Sequence, residues 1–209
     1  MIESATGIIL RTRLLTETSL IVSWLTPDFG RISTVAKGAR RPKSPFAGKL
    51  DLFYEASFSF SRSRRSELHN LREVSLRETH EPLRHEINYL QQAAYGAALL
   101  QQATETETPL AAPYDLMRTL LAHLPQQPPQ PQTIFAFELK LLAELGLAPD
   151  LEDSHLTPGA RRIAATLVAG DWAAIARLKL SEPQVKEFRQ FLHGFLIFHL
   201  GKIPKGRPV

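Results

Sequence analysis

Residues 20–35 read LIVSWLTPDFGRISTV. Two runs rich in β-branched and other apolar residues, 20–25 and 31–35, flank the segment Thr-Pro-Asp-Phe-Gly at residues 26–30. The order Pro-Asp-x-Gly is typical of the connection in a β-hairpin. The stretch therefore predicts two neighbouring antiparallel strands.

Further strand signals lie on both sides of this hairpin. An apolar run occupies residues 8–10, Phe58 and Phe60 alternate with serines in residues 52–60, and apolar residues continue from Leu68 to Leu76. Five short strands with no helix-length segment among them favour a small closed barrel, because closure removes the exposed edges of an open sheet.

From Pro82 onward the apolar spacing becomes helical. Residues 134–145 are apolar on most faces, which predicts a buried helix. Thr157-Pro158 and the pair Ser181 and Gln184 have the spacing of helix starts. The proline-rich segment 125–132 predicts a stiff extended connection.

The fold class is therefore α+β, with two predicted domains. A five-stranded OB-fold barrel is expected at residues 1–80, and an all-helical domain is expected at residues 81–209.

Positive charge is concentrated in the first part of the 209-residue chain. Residues 1–80 carry 13 Lys and Arg against 8 Asp and Glu, whereas residues 81–209 carry 12 against 13. Between Arg31 and Leu50 there are six cations and no acidic residue. A locally basic surface is typical of a protein that binds a phosphate backbone, although a solvated loop has the same composition. A second basic group follows at Arg62, Arg64 and Arg65.

The composition excludes several classes of site. The chain has no cysteine, which removes disulfides, thiolate zinc sites, iron–sulfur clusters and cysteine nucleophiles. No apolar run reaches the 18 or so residues of a membrane span, and the start lacks the pattern of a signal peptide. We therefore expect a cytoplasmic protein without membrane association.

No catalytic motif is recognisable. The 11 glycines form neither a Walker nor a dinucleotide-binding pattern, and no Gly-x-Ser-x-Gly elbow occurs. His80 and His85 are five residues apart with a proline between them, so one helix cannot present both to one metal. The sequence predicts a protein that is not an enzyme and that needs no cofactor or metal.

In OB barrels the groove over strands 2 and 3 commonly binds oligonucleotides. Cations follow the phosphates there, and aromatic rings stack on bases. Trp24 and Phe53 are interpreted as core residues. The candidate DNA-binding residues are Arg11, Arg31, Lys37, Arg40, Arg41, Lys43, Phe29 and Phe46.

Four ordered motifs resemble the N-terminal domain of the bacterial DNA repair protein RecO family. They are GIILRTR at 7–13, ETSL at 17–20, FGRI at 29–32 and VAKGARRPKS at 35–44. FELKLLAELG at 137–146 is similar to the central helix of that family, and HLGK at 199–202 to its C-terminal helix end.

The resemblance implies an OB barrel that binds single- and double-stranded DNA and anneals complementary strands, followed by a helical remainder. It also implies RecR and single-strand-binding protein as partners, RecA loading through them, and association with the nucleoid during repair. Many relatives carry a four-cysteine zinc element after the central helix. This chain lacks those cysteines, so no structural zinc is expected.

The C-terminal helix offers candidate partner-binding residues for the acidic, apolar-ended tail of single-strand-binding protein. They are Phe195, Lys202 and Lys205. The alternative for these residues is an ordinary core and a frayed basic terminus. For the whole chain, the alternatives are an OB-fold RNA-binding module, a protein-binding scaffold with a basic docking loop, and a metal-dependent nuclease.

Overall fold

A computed structural model describes residues 1–208 of the chain. Five β-strands occupy the first part of these residues: β1 Ile2–Leu14, β2 Leu20–Thr26, β3 Gly30–Ala36, β4 Glu55–Ser61 and β5 Leu68–Glu78. The α-helices that follow are α1 Ile87–Ala103, α2 Ala111–His123, α3 Pro131–Glu144, α4 Pro158–Ala169, α5 Trp172–Ala176 and α6 Glu182–Leu200. Short 3-10 helices at Glu81–His85 and Leu124–Gln126 precede α1 and α3.

The five strands form a closed barrel in the order β1-β2-β3-β5-β4. β3 and β5 pair in parallel, and the other neighbouring strands pair antiparallel. β1 is long enough to pair with both β2 and β4, and an irregularity between Ile9 and Arg11 lies within its pairing with β2. An extra residue of this kind bends a strand, which helps a small sheet to close. The predicted five-stranded barrel is confirmed.

The inside of the barrel is filled by large aromatic side chains. The Trp24 ring stacks on Phe58 with 4.0 Å between centroids, and its indole N–H donates to Thr34 Oγ1 at 2.8 Å. Both Trp24 and Phe53 are buried, as predicted. A buried indole N–H needs such a partner, so Thr34 is part of the packing arrangement.

α3 is the central helix of the second part of the chain. Its residues from 132 to 139 are all buried, which confirms the predicted buried helix. Phe135 stacks on Phe188 of α6 with 5.6 Å between ring centroids. Thr157 caps α4 by accepting from the Ala160 N–H at 3.3 Å, and the Ser181 N–H donates to Gln184 Oε1 at 2.9 Å before α6. Both predicted helix starts are confirmed.

The proline-rich segment differs from the prediction at both ends. Pro125 lies within a 3-10 helix, and Pro131 is the first residue of α3. Proline fits these first-turn positions because the N–H that it lacks has no partner inside the helix there. Only residues 127–130 lie outside helices.

The described chain divides into two compact units. The first combines Met1–Glu81 with Thr104–Arg118, and the second combines Pro82–Ala103 with the residues from Thr119 onward. The segment Thr104–Arg118 therefore groups with the barrel, although helix α1 before it groups with the second unit. Within residues 1–208, no helix has the length and apolar character needed to cross a membrane.

Candidate nucleic-acid interface

The segment that joins β3 to β4 is a compact series of turns, which we call the basic loop (residues 37–50). Successive backbone hydrogen bonds join Arg41 N to Gly38 O and Ser44 N to Arg41 O, each at 3.0 Å. Gly38 and Gly48 have φ angles of 67° and 70°, a conformation that glycine adopts without a Cβ clash. The loop therefore has a defined shape.

Hydrogen bonds attach the basic loop to the turn between β1 and β2. The Arg40 N–H donates to Thr18 O at 3.0 Å, and the Arg40 guanidinium donates to Glu17 O at 2.9 Å. The Gly38 N–H donates to Ser19 Oγ at 3.2 Å. The loop and this turn thus form one continuous surface at one end of the barrel.

Four predicted cations of this loop are exposed or partly exposed: Lys37, Arg40, Arg41 and Lys43. In the described part of the chain, none of the four forms an ion pair with a carboxylate. Their charges therefore face solvent without a neutralising partner, as a phosphate-binding surface requires.

Arg11 lies on the outer face of β1. It is exposed and pairs across the sheet with Ser23, which in turn pairs with Ser33 of β3. Arg13 is also exposed, two residues further along the strand, and therefore on the same face. Arg13 was not among the predicted DNA-binding residues, although its spacing from Arg11 was a sufficient signal.

Arg31 is half-buried and already has protein partners. Its Nε donates to Thr104 Oγ1 at 2.8 Å and its Nη2 to Thr104 O at 2.5 Å, and burial lowers the pKa of its guanidinium. Arg31 thus holds the segment after α1 against the barrel. With Arg13 and Ser33 it lines a depression of about 380 Å³, whose rim also carries Glu67 and Glu107. The two carboxylates make this depression less favourable for phosphate than the basic loop.

The two predicted stacking aromatics have different surroundings. Phe46 is only 6% exposed and packs in the barrel core, so it anchors the basic loop and its ring face is closed to a base. The expectation that Phe46 is a stacking residue is corrected, because a loop residue can serve the core when its loop folds back. Phe29 is half-buried, edge-on to Phe60 at 5.6 Å and under the Arg62 guanidinium at 5.6 Å.

Arg62 joins two parts of the barrel unit. Its guanidinium contacts Glu3 at 2.9 Å and Glu107 at 2.8 Å. The hydrogen bond from Arg62 holds the pKa of the Glu3 carboxyl below its ordinary value. His69 lies beside Glu107, and burial lowers the pKa of its imidazole. The sequence groups Arg62 with the basic residues around it, whereas the structure places it in ion pairs.

The candidate partner-binding residues lie at the end of α6. Phe195 lines an apolar groove of about 630 Å³ together with Leu156, Phe191 and Phe198. Phe198 is 82% exposed, which is unusual for so large an apolar side chain. Lys202 and Lys205 follow the helix and are exposed, but they do not line the groove.

A metal centre is not evident in residues 1–208. No group of three or more histidines or carboxylates within them is arranged to hold a metal ion. His80 and His85 belong to different compact units.

The barrel order, with its parallel β3–β5 pairing, defines the class: an OB-type barrel carrying a cationic loop, followed by helices. The chain belongs to the RecO family. The family description "Recombination protein O N terminal" matches residues 1–80, and "Recombination protein O C terminal" matches residues 84–157. Membership supports a role in DNA repair and recombination.

Individual relatives agree with this assignment. The DNA repair protein RecO of Anaeromyxobacter dehalogenans strain 2CP-C is 29% identical over an alignment of 232 positions, gaps included. The alignment covers 94% of this chain and 91% of the relative. The RecO protein of Symbiobacterium thermophilum is 35% identical over 148 residues, covering 69% and 57%. That of Rhodopirellula baltica is 34% identical over 143 residues, covering 68% and 53%.

Proposed function

We propose that this protein binds single- and double-stranded DNA through its barrel and anneals complementary strands. The observation that carries the proposal is the basic loop, which exposes four cations and is hydrogen-bonded to the β1–β2 turn through Gly38 and Arg40. Arg11 and Arg13 extend the positive surface along β1. Phosphate contacts of this kind give affinity without sequence specificity.

Annealing needs no catalytic residue in this account. Cations on the protein reduce the repulsion between two phosphate backbones, and contacts with single phosphates are weak enough to exchange. Two bound strands can then shift against each other until their bases pair. Neither step consumes a nucleotide, in keeping with a role as a mediator and not as an enzyme.

We further propose that the second unit binds protein partners: RecR, and the C-terminal tail of single-strand-binding protein, through which the protein assists RecA loading. The groove beside Phe195 supports this proposal because it offers apolar surface to the end of a peptide. Lys202 and Lys205 would steer the acidic residues of such a peptide. Glu187 also lines the groove, but its carboxylate accepts hydrogen bonds from the Thr157 N–H and hydroxyl. These bonds reduce the repulsion between Glu187 and an acidic peptide.

The DNA-binding proposal is tested with a variant in which Arg40, Arg41 and Lys43 are changed to alanine. Each lost phosphate contact lowers the slope of log affinity against log salt by about 0.7 for single strands, so three lost contacts remove roughly 2 from it. The control is a second triple variant, Arg162, Lys179 and Lys186 to alanine, which removes the same charge from exposed positions of the other unit.

Arg40 also bonds to Glu17 O, so its loss could disturb the loop as well as remove a charge. A double variant, with Arg41 and Lys43 changed to alanine and Arg40 kept, tests the loss of charge alone. It is expected to remove about two thirds of the effect. An unchanged slope and affinity in the triple variant would place the DNA site elsewhere. Tighter binding of ribo- than deoxyribo-oligomers of one sequence would favour an RNA-binding function instead.

The partner proposal is tested by titrating a labelled tail peptide against the full chain. Changing Phe195 to serine, or Lys202 and Lys205 together to alanine, is expected to weaken binding, and a peptide without its terminal apolar residues serves as control. Equal binding of the two peptides would reject the groove as the site.

A further inference from the structure

Two adjacent leucines, which we call the apolar tip, lie where β1 passes into the β1–β2 turn. Leu14, the last residue of β1, is 63% exposed, and Leu15 is 46% exposed. Single exposed apolar residues are common on protein surfaces, but here two successive leucines both expose apolar side chains at one end of the hairpin. The core explains Leu20, which pairs with Leu14 and packs inward, but it does not explain the two exposed side chains.

The backbone beneath these leucines is held in place. The Leu15 N–H donates to Ser19 O at 3.0 Å, and the Ser19 N–H donates to Thr16 Oγ1 at 3.1 Å. The basic loop braces the same turn through its bonds to Thr18 and Glu17. The leucines are therefore presented on a defined surface and lose little backbone freedom when a ligand binds.

Several cations lie next to the apolar tip in the sequence or on the neighbouring loop. Arg13 precedes Leu14, and Lys37 directly follows Ala36, the residue paired with Leu20. The Arg40 guanidinium bonds to the turn itself, and the Arg41 side chain lies over Gly38. Glu17 is the one acidic residue in the turn. An apolar tip with several cations nearby fits a polyanion that also carries apolar faces, and an unstacked nucleic-acid strand has this chemistry.

We propose that Leu14 and Leu15 pack against unstacked bases of a single strand whose phosphates are bound by the surrounding cations. This inference rests on the proposed DNA binding and adds a base contact to it. Apolar side chains can insert between base steps. Packing against a base face tolerates any sequence, because every base has such a face. The tip would keep bases apart while the strand is held, which leaves them available for pairing with a complement.

The test uses the full chain with Leu14 and Leu15 both changed to serine. Two probes of equal length are compared at one salt concentration: an oligothymidylate, and an abasic oligomer with the same phosphate backbone. The wild-type protein is expected to prefer the oligothymidylate, and the variant is expected to lose about tenfold in affinity for it while binding the abasic oligomer unchanged. The salt slope of the variant stays at the wild-type value because no cation is removed.

Leu76→Ser is the matched control, since Leu76 is an exposed leucine of β5 in the same barrel unit. A leucine variant that keeps the wild-type preference for bases would overturn the inference and leave the DNA-binding proposal intact. The inference is likewise overturned if DNA binding is unchanged but a partner protein or a vesicle of anionic lipid no longer binds. If the wild-type protein binds neither oligomer at low salt, the proposed function itself fails.

Discussion

Glu138 is a carboxylate with no solvent exposure at the centre of the helical unit. Arg207 binds both of its oxygens, at 2.7 Å and 2.5 Å, and the Tyr95 hydroxyl donates to Oε1 at 2.5 Å. Burial raises the pKa of the Glu138 carboxyl, and the bonds from Arg207 and Tyr95 oppose that rise. Arg207 lies after α6, so this network fastens the segment that follows α6 to α3.

We predict that Arg207→Ala lowers the free energy of unfolding by about 3–5 kcal/mol at neutral pH, because it leaves a buried carboxylate without its counter-charge. The loss also depends on pH. A carboxyl whose pKa is raised by folding favours the folded state below its unfolded value of 4.5, and this contribution disappears as the pH rises through the folded pKa. The deficit should therefore be smaller at pH 5 than at pH 8, as urea denaturation would measure.

Glu138→Gln in the Arg207→Ala background provides the control for this prediction. It removes the titrating group while keeping the shape of the side chain, so the added pH dependence should vanish. A deficit in the single variant that is equal at both pH values would contradict the account of Glu138.

The segment that follows α1 is hydrogen-bonded to the hairpin turn between β2 and β3. The Glu107 N–H donates to Arg31 O and the Leu110 N–H donates to Pro27 O, both at 3.0 Å. Gly30 has a φ of 63°, and a Cβ placed there would meet Thr108 O at 1.7 Å. Glycine is needed at this position for two reasons, the backbone conformation and the close approach of a second chain segment.

We predict that Gly30→Ala costs more than about 3 kcal/mol in the free energy of unfolding, because strain and a backbone clash add together. Gly48→Ala is the matched control. Gly48 has a φ of 70°, and no heavy atom beyond its two chain neighbours lies within 4 Å of the position that a Cβ would take, so only the backbone strain of about 1–2 kcal/mol applies. Equal costs for the two variants in denaturant unfolding would show that the Thr108 contact does not constrain the turn.

Local sequence signals predicted the elements well where the chemistry is local. The Pro-Asp-x-Gly turn, the alternation of Phe58 and Phe60, and the helix start at Thr157 each depend on neighbours a few residues away. The docking of Thr104–Arg118 on the barrel depends on contacts such as that between Arg31 and Thr104, which are 73 residues apart. The spacing of apolar residues along the sequence cannot predict a contact between residues so far apart.

The candidate site shows the same division. The cations of the basic loop are evident from composition, and their exposure agrees with that signal. Burial of Phe46 and the ion pairs of Arg62 follow from the way distant segments fold back. The loop position of Phe46 had predicted a stacking residue, and the neighbours of Arg62 had predicted a basic group. The exposure of Leu14 and Leu15 could not be predicted, because apolar residues at the end of a strand are ordinarily core.

The excess of positive charge lies in residues 1–80, which carry 13 Lys and Arg against 8 Asp and Glu, and the chain contains no cysteine. Its stability accordingly depends on apolar packing such as that around Trp24 and Phe135. We predict that a chelator leaves the melting temperature unchanged and that elemental analysis finds no stoichiometric zinc. About one zinc per chain, lost together with stability on chelation, would contradict this expectation.

The central claim is that the barrel cations bring two DNA strands together. The most direct measurement mixes two complementary fluorescently labelled oligonucleotides, without any nucleotide cofactor, and follows the rate of duplex formation. We predict that the wild-type protein and the Arg162, Lys179 and Lys186 control variant accelerate annealing, and that changing Arg40, Arg41 and Lys43 to alanine removes most of the acceleration. Annealing at the protein-free rate with the wild-type protein, or full acceleration by the loop variant, would contradict the account.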